Sequence, residues 1–155
     1  MTAYLLLKTL HVLSSVLLVG TGFGTAYFFY FANRSDNVQA QAVVARLVVR
    51  ADWWFTTPAA IVQPASGLAL VWLAGYPLGT PWIVWALGLY AFAGACWLPV
   101  LWLQWRMAGM AQAAAARGAP LPPLYRRYAR RWEWLGYPAF VAMLVVFWLM
   151  VSKPG

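Results

Sequence analysis

The stretch YLLLKTLHVLSSVLLVGTGFGTAYFFYF, residues 4–31, most limits what this chain can become. It exceeds the ~20 residues a helix needs to cross a bilayer. It is also longer than the apolar core of a cleavable signal, so it reads as a retained span. Three further apolar runs follow, at about 53–74, 82–105 and 135–151. Hydrophobic residues make up 64% of the chain and charged residues 9%, against roughly 45–50% and 25% in soluble domains. The expectation is an all-α integral membrane protein: a four-helix transmembrane bundle, with residues 1–155 as a single domain. The 11 tryptophans suit the membrane–water interfaces. The single cysteine, Cys96, excludes an internal disulfide and multi-cysteine metal sites, and is expected to pack as a small apolar group.

The connections carry most of the charge. After ANRSDN at 32–37, residues 38–55 place Val44, Leu47 and Val48 at helical spacing, which reads as an interfacial lead-in to span two. Asp52 is expected to be an acid at the N-terminus of that span, favoured by the helix dipole and Arg50. Pro58 and Pro64 predict a kink, with the freed carbonyls satisfied by neighbouring helices or by hydroxyls. Gln63 is placed to hydrogen-bond across the bundle. The short turn GYPLGTP, 75–81, leads to span three, which the Ala-rich stretch 107–119 should prolong beyond the bilayer until APLPP stops it.

LYRRYARRWEW, 124–134, reads as a basic cytoplasmic interfacial helix. Its Arg126, Arg127, Arg130 and Arg131 rest on anionic lipid headgroups, and Glu133 pairs with an arginine. The net charge of +8 therefore needs no nucleic-acid partner. Arginines fill the first and third connections and are absent from the second. The positive-inside rule then puts both termini on the periplasmic side of a bacterial-type inner (plasma) membrane.

Span one holds the only histidine, His11. Tyr4, Lys8, His11, Ser15, Leu18 and Gly22 lie three or four apart and share a side, bordered by Ser14. Gly20 and Gly24 add the small-xxx-small spacing of close helix contacts, which suggests a homo-oligomer. His11 lies roughly 10 Å deeper than Tyr4, too deep to snorkel, so its ring should face protein. Three readings stay open: a histidine hydrogen-bonded within the bundle, an axial ligand to haem iron, and a copper or proton site. For haem, Lys8 would pair with a propionate, and Met143 or Met150, which bracket the depth of His11, would supply a second ligand. The spans hold no paired carboxylates, nucleophile motif or phosphate loop, which disfavours hydrolases and nucleotide-driven machines.

LLLKTLHVLSSVLLVGTGFGTAYFFY, DWWFTTPAAIVQPASGLAL, GACWLPVLWLQ and FWLMVSKPG together resemble a family of predicted integral membrane proteins defined as a domain of unknown function. The resemblance spans nearly the whole chain and implies no activity. KTLHV at 8–12 and the VSKPG ending are also similar to the ends of HemJ-type membrane protoporphyrinogen oxidases, helical bundles that bind haem b. That likeness implies His11 as the iron ligand and Lys8 as a site residue. CopD-type copper-resistance domains have a comparable first helix. The leading expectation is thus a haem-b-binding redox protein, with Lys8, Ser15, Met143 and Met150 around His11. Its chemistry would be that of a membrane oxidoreductase, porphyrinogen-oxidising or quinone-linked. The alternative is a cofactor-free scaffold or a copper/metal transport accessory protein.

Overall fold

Each helix begins and ends where the local chemistry requires it. The computed structural model describes residues 2–154. Helix α1 covers Thr2–Ala32, α2 Val38–Ala51, α3 Thr57–Leu73, α4 Pro81–Ala116 and α5 Pro123–Ser152. Asn37 caps α2, its side chain accepting from the Ala40 amide at 3.0 Å. Gly75 and Gly118, at φ +72° and +61°, close α3 and α4. In both closures the next amide reaches back to a carbonyl of the last turn, Tyr76 to Val71 at 3.1 Å and Ala119 to Ala114 at 3.0 Å. That left-handed closure favours glycine. Pro81 and Pro123 stand at the first turns of α4 and α5, where a missing amide costs nothing.

Asp52–Thr56 form a π turn that joins α2 to α3, so the chain is helical from Val38 to Leu73. The amide of Thr57 bonds the Asp52 carbonyl across this wider turn. Pro58 follows directly and has no amide to continue the ordinary ladder. Asp52 is therefore not an N-terminal acid. It lies inside a continuous helix and is 3% exposed, while Arg50 is exposed. The second proline, Pro64, frees the Ala60 carbonyl, and the Tyr90 hydroxyl of α4 donates to it at 2.7 Å. Here the expected satisfaction from a neighbouring helix is met by a tyrosine.

Helices α1, α4 and α5 are long and apolar enough to cross a membrane. Helix α3 has 17 residues, about 26 Å, and reaches roughly 30 Å only with the π turn added. The basic stretch 124–134 is not a separate surface helix. It forms the first turns of α5, because no breaker separates Trp134 from Leu135. Its Tyr125 and Trp132 point inward, 2% and 6% exposed, while Arg126, Arg127, Arg130 and Arg131 are exposed.

The main core lies at this arginine-bearing end. Ala42, Ala45 and Val48 of α2 meet Met107, Ala108 and Ala111 of α4. Small side chains let those two helices approach closely. Phe29 is fully buried and meets the Trp132 ring edge-on at 5.1 Å. The Tyr125 hydroxyl donates to Asn33 Oδ1 at 2.6 Å, and Gln39 Nε2 donates to the Ala115 carbonyl at 3.2 Å. Arg34 binds Glu133 with two hydrogen bonds, 2.9 and 3.2 Å, and lies 3.5 Å over the Tyr30 ring. Cys96 is buried and free.

Beyond this cap the helices pair off. Helix α1 packs on α3, and α4 packs on α5 around Trp82, Ile83, Ala86, Val146 and Leu149. Between the pairs lies a cleft of about 940 Å³.

Candidate functional site

Two polar features lie among these helices. The first is His11. It shares a side of α1 with Ser14, three residues on, and faces Gln63 and Ser66, an equally spaced pair on α3. Gln63 Nε2 donates to His11 Nε2 at 3.2 Å. The ring then carries its proton on Nδ1 and donates to Ser66 Oγ at 2.9 Å. This tautomer is assigned from the network, since an amide nitrogen can only donate. Ser66 passes its own proton to the Val62 carbonyl at 2.6 Å, and Ser14 donates to Gln63 Oε1. Every polar group in the chain of bonds finds a partner, as burial in an apolar medium demands.

Gly67 completes the seat. A Cβ there would stand 3.1 Å from His11 Cε1, so glycine lets the ring lie against the α3 backbone.

The histidine does turn toward protein, and Gln63 does bond across the helices. The other expected site residues do not join them. Lys8 is exposed and forms no hydrogen bond among the described residues. Ser15 folds its hydroxyl back onto the Val12 carbonyl at 2.7 Å. Met150 is 36% exposed, and Met143 lines the cleft, which His11 does not reach. The lone pair on Nε2 that iron would need already accepts from Gln63. As arranged, these residues do not fit haem b at His11. Among the described residues no group of three His, Cys, Asp or Glu side chains could hold a metal ion. Among the described residues a Cβ on Gly20 or Gly24 would meet nothing within 4 Å.

The second feature is the cleft. Its walls are apolar: Phe23 and Phe140 stack at 5.3 Å, and Trp97, Leu98 and Met143 continue the surface. Its lining also includes Asp52 and Thr56 of the π turn, Gln104 of α4 and Glu133 of α5. Apolar walls with a few placed polar groups are the common make-up of small-molecule sites. Ser66, Thr56, Gln104 and Tyr90 were not anticipated as site residues. Ser66 could have been found as the residue three on from Gln63. Gln104 carries no such local signal, because only the approach of α4 to the π turn gives it a role.

Among known families, the one described as "Predicted integral membrane protein (DUF2269)" matches residues 5–154, and the chain belongs to it. No curated protein and no solved structure matches the chain.

Proposed function

From membership of this membrane-protein family as the premise, we propose that the chain is a cofactor-free, four-span bundle that binds an apolar-tailed small molecule in the cleft between its two helix pairs. The second span is α3 with the π turn. His11 acts as a pin that locks α1 to α3. The observation that carries this reading is the cleft itself, roughly the size of a drug-like pocket or larger, bounded by aromatic walls and polar side chains.

The arginine-bearing cap supports a cytoplasmic placement of both basic connections, with the termini periplasmic. The four exposed arginines of α5 suit anionic headgroups. A second copy of the chain would cover Gly20 and Gly24 of α1, which leave room for close helix approach. Cross-linking of a Gly24→Cys variant tests that pairing, and a monomeric pattern removes it from the proposal.

Native mass spectrometry of the detergent-purified chain tests the binding reading. A stoichiometric small-molecule adduct is expected. It should disappear in Gly94→Phe, which fills the cleft at a position where a Cβ meets nothing within 4 Å. An adduct that persists in that variant, or a wild-type chain that takes up no ligand, refutes the reading. A Soret band in the purified protein that vanishes in His11→Ala would instead restore the haem ligand.

A further inference from the structure

A second groove, of about 690 Å³, lies in the arginine-bearing cap between α2 and α4. Arg46 of α2 lines one wall, and Arg106 and Arg117 line the other. Along α4 and its cap, Arg106, Gly109, Ala113 and Arg117 recur three or four apart and form one stripe. The two arginines start roughly 16 Å apart along the axis. The small residues between them leave a trough, and a Cβ on Gly109 would meet nothing within 4 Å. Arg46, Arg106 and Arg117 are exposed, and among the described residues none has an ion-pair partner. The acids of the chain do not answer them. Glu133 holds Arg34, Asp52 is 3% exposed, and Asp36 makes no ion pair with any of the three. Like charges gathered along one groove repel, and an anion seated among them relieves the repulsion.

We propose that this groove seats the phosphate headgroup of one anionic phospholipid from the adjoining leaflet, between Arg46 and Arg106, with Arg117 at the far end. The site is separate from the apolar cleft and does not depend on what the cleft binds. A guanidinium matches phosphate oxygens with paired, charge-assisted hydrogen bonds. Basic pockets between helices at a bilayer surface take lipid phosphates by this chemistry. The neighbouring tryptophans favour a lipid over a soluble phosphate. Trp105 lines the groove and is 62% exposed, and Trp53 and Trp54 of the π turn are 71% and 75% exposed. Exposed tryptophans mark the headgroup level of a bilayer. A phosphate held beside Trp105 is therefore at headgroup depth, and its acyl chains leave past that ring into the membrane. Arg126, Arg127, Arg130 and Arg131 of α5 line no part of this groove. They attract an anionic surface through their field, whereas arginines on two facing helices select one molecule.

The test delipidates the purified full chain in a non-ionic detergent and titrates it with phosphatidylglycerol, phosphatidylcholine and glycerol phosphate. Native mass spectrometry follows the bound mass. One phosphatidylglycerol per chain is expected, held roughly tenfold or more tighter than phosphatidylcholine. Glycerol phosphate, the anion without the tails, is expected not to displace it. Arg46→Gln combined with Arg106→Gln is expected to remove the preference, and the matched pair Arg126→Gln with Arg130→Gln to leave it. Gly109→Glu sets an acid in the trough and is expected to lose the lipid with the melting temperature unchanged. Gly94→Phe, in the apolar cleft, is expected to keep it. Circular-dichroism melts verify that the variants are folded, and if the Arg46 and Arg106 double variant does not fold, Gly109→Glu and the lipid series decide. Equal losses from the two arginine pairs would mean diffuse attraction and overturn the site. Equal affinity for the two lipids, or lipid retained in Gly109→Glu, overturns it too. Loss of the lipid in Gly94→Phe would move it to the cleft. Glycerol phosphate binding as tightly as the lipid, with the same arginine dependence, overturns the lipid assignment.

Discussion

The arginine-bearing cap and the apolar half of the bundle share the long helices α1, α4 and α5 but solve packing in different ways. In the cap, α2, the end of α4 and the start of α5 interlock through alanines, with Phe29, Met107 and Tyr125 each at 2% exposure or less. In the apolar half, α1 is 31 residues long yet buries only Ser14, Phe29 and Ala32, and Phe29 and Ala32 belong to the cap end. Close packing of that kind is what the hydrophobic effect drives wherever apolar surface leaves water. Lipid gives little such drive, since acyl chains are as apolar as leucine, and helices there rely on close contact and polar bonds. The apolar half accordingly keeps a cleft, bridged by discrete polar contacts such as Tyr90 to Ala60.

If that contrast is correct, removing bulk from the cap has the largest effect. Phe29→Ala is expected to cost about 3–5 kcal/mol, read as a large fall in the melting temperature of the detergent-solubilised protein. A small loss would mean that the cap is not the stabilising core.

Adding bulk sharpens the comparison. Ala111 is fully buried in the cap, and Ala111→Leu is expected to cost about 1–3 kcal/mol by overpacking. At Gly94, beside the cleft, leucine meets open space and should change stability little. Similar losses at the two sites would show that the cleft is closed in solution.

The polar contacts of the apolar half come next. His11→Ala strands Gln63 and Ser66 and is expected to cost about 1 kcal/mol. Gly67→Val is expected to reproduce the loss by displacing the ring from α3. A double-mutant cycle between His11→Ala and Gln63→Leu measures their coupling, and additive losses would mean that the bond between them is not made.

The smallest expected effect is at the proline. Tyr90→Phe should cost about 0.6 kcal/mol, the usual size of a hydrogen bond between membrane helices. In a Pro64→Ala background the helix supplies its own amide to Ala60, and the tyrosine substitution should then cost nothing. An equal penalty in both backgrounds would separate Tyr90 from the proline.

Much of the architecture could be read along the chain. The apolar run of α1, the glycine closing α3 at Gly75 and the alanine extension of α4 to Ala116 are local features, written in hydropathy, turn chemistry and propensity. Two local readings went astray for one reason. The sequence places a helix start at Asp52 and a helix end at Trp134, because a change in composition resembles a break. A helix continues through a change from polar to apolar surroundings unless a proline or glycine at the right position stops it. Pro58 did not stop the helix but widened the turn before it.

The candidate site divides similarly. Periodicity on α1 placed His11 and Ser14 on one side, and the cost of an imidazole in hydrocarbon turned that side toward protein. Which protein groups would answer depended on the packing of α1 on α3, and that brought Gln63 and Ser66 to the two ring nitrogens. The haem expectation depended on whether Nε2 was free, which is a matter of a bond between residues 52 positions apart. Asp52, Thr56 and Gln104 meet only because α4 packs on α2, which runs directly into the π turn.

Sequence alone thus determined that the chain is helical, apolar and membrane-embedded, since those properties follow from residue types and short-range spacing. Tertiary structure alone decided what His11 bonds and which polar groups meet at the cleft. Such encounters depend on how helices distant in the chain come together, and no local pattern records that.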